Sequence, residues 1–112
     1  MRPPTAPRLV YRVVQRDPPT ADDFTAPEQA GAPPPWRQAV DPRLLSGVSV
    51  TATESQAKRL ARRFPALGAY VAEIELPPTA RIERTLKRRG HFTVWADPED
   101  LVRSVRRVIT LA

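Results

Sequence analysis

Gly47-Val-Ser-Val-Thr-Ala-Thr-Glu-Ser-Gln-Ala-Lys-Arg-Leu-Ala-Arg-Arg-Phe-Pro65 is the stretch on which the fold turns, because it reads as a strand running directly into a helix. Val48, Val50 and Ala52 alternate with Ser49, Thr51 and Thr53, so an apolar row lines one face of the strand and hydroxyls line the other. Thr53 opens the helix, and with Gln56 it forms a Thr-x-x-Gln capping box for the exposed N–H groups of the first turn. Ala57, Leu60, Ala61 and Phe64 then recur at helical spacing, which predicts a core-facing stripe with Lys58, Arg59, Arg62 and Arg63 outside. Pro65 ends the helix by forcing Phe64 out of helical geometry.

Outward from this unit, the C-terminal side alternates in strand fashion. Tyr70, Ala72, Ile74 and Leu76 form an apolar face behind the Leu67-Gly68 turn, with Glu73 and Glu75 on the solvated side, blunting an edge or pairing with arginines. Pro77-Pro78 stops that strand. Residues 81–85 and 91–95 give two more strands across the basic turn Leu86-Lys87-Arg88-Arg89-Gly90. Asp97 caps a helix with Pro98 at its first position, and acidic Glu99 and Asp100 suit its first turn. The tail fits either a helical stripe or a strand; a short helix at 98–103 followed by a strand at 104–111 is expected.

On the N-terminal side, Leu9-Val10-Tyr11-Arg12-Val13-Val14 predicts a strand buried on both faces, interrupted by Arg12. A guanidinium there must be paired, reach solvent, or line a cleft for an anion. Residues 15–46 form a Pro-rich segment expected to cover the body, with a single turn capped by Thr20 and with Phe24 and Trp36 as packing anchors. Together these elements predict one α+β domain over residues 1–112: two small, mostly antiparallel sheets around one principal amphipathic helix, with the Pro-rich loop over the cleft.

Composition narrows the chemistry. The chain has no cysteine, which excludes disulfides and thiolate metal sites, and neither a leader-like apolar segment nor a membrane-length run is evident, so a cytoplasmic location is expected. With His91 the only histidine and no Gly-x-Ser-x-Gly elbow, a zinc hydrolase or a Ser-His-Asp enzyme is a poor fit. The formal charge is +6, and residues 51–112 carry twelve basic against seven acidic side chains. Sixteen of the eighteen cations are arginine, a bias that fits a GC-rich coding sequence as well as a surface attracting phosphate.

The order of first-strand Arg12, long irregular segment, Gly-x-Ser-x-Thr-x-Thr strand and amphipathic helix resembles the ADP-ribosyltransferase-like fold, including small bacterial toxins of the RES type. The resemblance implies NAD held in a cleft between two sheets, as the substrate of a transferase or NAD glycohydrolase. Arg12, with Tyr11 beside it, and Ser49, with Thr51 and Thr53, would contact NAD, and a glutamate, Glu99 ahead of Glu75, would stabilise the oxocarbenium-like state. On this reading Arg12→Ala abolishes NAD binding with little change in thermal midpoint. Two other classes stand beside it. One is a non-catalytic basic module using Lys58, Arg59, Arg62, Arg63 and the Lys87-Arg88-Arg89 turn on nucleic acid or an acidic protein. The other is a fold relative without catalysis that serves as an interaction partner.

Overall fold

The computed structural model describes residues 8–25, 47–84 and 90–111. Six strands and two α-helices follow one another as β1 (Leu9–Val14), β2 (Val48–Thr51), α1 (Glu54–Arg63), β3 (Tyr70–Glu75), β4 (Arg81–Arg84), β5 (His91–Trp95), α2 (Pro98–Arg103) and β6 (Val105–Thr110). Short 3-10 turns at Ala21–Phe24 and Pro65–Leu67 complete the described elements. The α+β class with antiparallel pairing is as expected, and the tail is the short helix followed by a strand. The number of sheets differs: the strands join into one six-stranded sheet, ordered β4-β5-β2-β1-β3-β6.

That sheet is nonetheless made of two three-stranded halves. β1 and β3 align over six residue pairs, from Leu9 opposite Glu75 to Val14 opposite Tyr70, whereas β1 and β2 share the single pair Tyr11–Thr51. In the other half β5 aligns with β2 from Val48–Val94 to Thr51–His91, and with β4 from Arg81–Trp95 to Arg84–Phe92. In strand register, β1 and β2 are therefore joined at this seam by a single pair.

Strand alternation sorts the side chains into two layers. Val10, Val14, Val48, Val50, Ala72, Ile74 and Val94 face one side, where Phe24 of the first 3-10 turn and Leu101 of α2 cover them. Val13 and Val71 face the other, under Ala57 and Ala61 of α1. Phe24 is fully buried, as its role of anchor requires, and Thr20 does stand at the N-cap of its turn. Trp36, with residues 26–46 of the Pro-rich segment, and Lys87, Arg88 and Arg89 lie outside the described residues.

Helix α1 begins as its sequence dictates, with the Thr53 hydroxyl accepting from the Gln56 N–H at 3.2 Å. Its reciprocal half is different: Thr53 Oγ1 donates to Gln56 Oε1, so the Gln56 side chain binds the capping hydroxyl. Phe64 leaves the expected stripe and is 44% exposed, because at φ −130° it has already left the helix and no longer projects along the core face. Gly68 has φ +146°, and a Cβ there would run into the Val14 carbonyl, so the turn into β3 requires glycine.

Candidate functional site

The seam is where the chemistry-bearing residues gather. Arg12 projects from β1 on the Phe24 side, and its guanidinium is held by two main-chain carbonyls: Nε donates to Asp23 O and Nη1 to Ser49 O, each at 2.7 Å. It thereby links β1, the 3-10 turn and β2 at the place where the strands share little of their own hydrogen bonding. Asp23 is buried and holds the same turn, accepting from the Gln15 and Thr20 N–H groups and pairing with Arg16 at 3.3 Å.

Two rows of side chains cross the opposite, α1-bearing face. The first runs through the seam pair, with registered neighbours His91, Thr51, Tyr11, Glu73 and Arg107 on β5, β2, β1, β3 and β6. Tyr11 donates its phenolic hydrogen to Glu73 Oε2 at 3.0 Å, and Arg107 donates Nε and Nη2 to the same oxygen at 3.1 and 3.0 Å. Arg107 also reaches Glu54 at 2.8 Å, and Glu54 binds Lys58 at 2.8 Å, so the row is tied to the first turn of α1. The Arg107 hydrogen bonds hold the Glu73 carboxyl below its ordinary range, against the opposing effect of burial. Burial and the Glu73 acceptor push the Tyr11 phenol up, so it stays protonated and acts as a donor. Glu73 is thus paired with an arginine, one of the two readings of its sequence, but it is buried and does not lie on a solvated stripe.

The second row is Ser49 on β2, Thr93 on β5 and Glu83 on β4, each opposite the next. Ser49 and Glu83 are two strand spacings apart, roughly 10 Å. Thr93 between them is fully buried, and Arg81 binds Glu83 at 3.1 Å.

Against the sequence expectations, Arg12 and Ser49 do meet, but guanidinium to main-chain carbonyl. The pleat sends the Arg12 side chain to the Phe24 side and the Ser49 side chain to the α1 side with Thr51. The Thr51 hydroxyl is used internally, on the Tyr11 and Thr53 carbonyls, and Thr53 is the helix cap. Tyr11 and Thr51 are brought together as the seam pair. Glu75 and Glu99 are not brought to this place. Glu75 is exposed at the end of β3, opposite Leu9 and 3.7 Å from Arg106, and Glu99 is exposed in the first turn of α2, where its N–H is capped by Asp97.

The acid that does share a row with Ser49 is Glu83. In the sequence it is one common acid among several; the pairing register alone singles it out, since β4 reaches β2 only through β5. No group of three or more His, Cys, Asp or Glu placed to hold a metal ion occurs among the described residues, and no described helix is long and apolar enough to cross a membrane. Comparison with protein-family models, curated proteins and solved structures finds no match to this chain.

Proposed function

We propose that the chain is an ADP-ribosyltransferase-like protein that binds NAD at the seam between the two half-sheets. One observation carries the reading: on the α1-bearing face beside the seam, the Ser49 and Thr93 hydroxyls and the Glu83 carboxylate stand opposite one another in a single row. Arg12, to which the resemblance gives a contact with NAD, projects from the opposite face, so on this reading it holds the Ser49 strand in place through the Asp23 and Ser49 carbonyls and does not touch the ligand. Ser49 supplies a half-buried hydroxyl for ribose or amide. Glu83 takes the part that sequence order gave to Glu99 and Glu75, offering negative charge on the Ser49 row to an oxocarbenium-like centre as the nicotinamide bond breaks.

Calorimetric titration with NAD, followed by chromatography for released nicotinamide, tests this. Glu83→Gln is expected to retain binding and lose release, while Glu99→Gln behaves as wild type. Absence of NAD binding, or release undiminished by Glu83→Gln, overturns the proposal. Binding without release in the wild type identifies a relative that keeps the nucleotide site and has lost the chemistry.

A further inference from the structure

The corner of the molecule at the C-terminal end of α1 combines three features that the seam does not use. Arg59, Arg62 and Arg63 are exposed there, and among the described residues Arg59 and Arg62 form no ion pair. Phe64 and Leu67, 44% and 42% exposed, are the large apolar side chains left open to solvent among the described residues, and the Arg63 guanidinium lies 5.5 Å above the Phe64 ring. Beside them an open groove of about 540 Å³ runs between α1 and the end of β6, with Ala61, Pro65 and Leu111 as its apolar lining and Lys58, Arg62 and Thr110 at its polar positions.

From this juxtaposition we propose that the corner is a docking surface for an acidic amphipathic segment of a partner protein. Such a segment places apolar side chains in the groove and on Phe64 and Leu67, and carboxylates against Arg59, Arg62 and Arg63. Charge selects this occupant over a second copy of the chain, since a two-fold contact through the patch sets the same arginines against each other. The apolar content selects it over a nucleic-acid backbone, to which Leu67, Pro65 and Leu111 offer nothing. An arginine stacked on an exposed aromatic ring is also a combination enriched at interface hot spots. The inference is independent of the nucleotide reading, because it uses none of the seam residues.

The test uses the full chain and a fluorescein-labelled amphipathic peptide of about fifteen residues, leucine at i, i+3, i+4 and i+7 and glutamate elsewhere, which becomes helical on docking. Fluorescence anisotropy should show saturable binding that weakens about tenfold in Phe64→Ser/Leu67→Ser and again in Arg59→Glu/Arg62→Glu. Thr110→Trp, which fills the groove without changing charge, should weaken it comparably. These positions are exposed or half-buried, and circular dichroism checks that each variant keeps the wild-type fold. Polyglutamate of equal charge, duplex or single-stranded DNA, and anionic phospholipid vesicles serve as competing probes. Binding of any of them as tight as that of the peptide, or peptide binding unaffected by both the apolar and the groove-filling variants, overturns the proposal.

Discussion

Replacing Arg12 by alanine removes two charge-assisted hydrogen bonds, to Asp23 O and Ser49 O, both at 2.7 Å. Bonds to a charged partner contribute about 1.5–3 kcal/mol each, and Arg12 is only partly buried, so the low end applies and the expected loss is about 3 kcal/mol. For a protein of this size that is a substantial part of a total stability of about 5–15 kcal/mol, and it lowers the thermal midpoint by roughly 10 °C. The structure thus reverses the expectation from sequence that Arg12→Ala leaves the midpoint nearly unchanged. Urea unfolding followed by circular dichroism should show a lower midpoint concentration with an unchanged slope, since the surface exposed on unfolding stays the same. Arg12→Lys should recover about half of the loss, because a lysine head can serve one carbonyl well but lacks the fork that spans two. With NAD at about a hundredfold over its dissociation constant the wild type should gain about 2.7 kcal/mol, and Glu83→Gln, which is expected to retain binding, should gain about as much. A midpoint within about 2 °C of wild type in Arg12→Ala would refute the view that this guanidinium clamps the seam.

The Glu73 network makes a second prediction, with a defined pH direction. Because Arg107 holds the Glu73 carboxyl below its ordinary value of 4.5, the unfolded chain binds the proton more readily than the folded one. Stability from this group is therefore complete above that value and lost as pH falls through the lower folded one. Urea unfolding at successive acidic pH values should show this decline in the wild type and a shallower one in Glu73→Gln, which should itself cost about 1–2 kcal/mol at neutral pH. Gly68→Ala combines a positive φ with a collision on the Val14 carbonyl, and should lower stability by about 2 kcal/mol or more in the same assay.

Much of the architecture was readable from local chemistry. The Thr53 cap, the Ala57 and Ala61 face, the Pro65 stop and the apolar alternation of β3 depend on neighbours within a turn or a strand, and those interactions are written in sequence order. The short helix and final strand of the tail follow for the same reason: Asp97 and Pro98 fix where the helix begins, and the Val105–Thr110 run favours extended backbone. Phe64 marks the limit of that reasoning, because helical periodicity extends a stripe one residue past the point where the backbone leaves the helix.

Only the tertiary structure decided what lies beside what. Strand order brings β4 next to β5 and β5 next to β2, which sets Glu83 on the Ser49 row and leaves Glu75 and Glu99 elsewhere. Register decided that Glu73 is buried against Tyr11 and Arg107, and that Arg12 meets the carbonyl of Ser49 and not its hydroxyl. Alternation in a sequence reports which residues share a face of one strand. It carries no information on which strand comes to lie alongside, since that follows from closing long loops and matching two apolar faces across the whole chain.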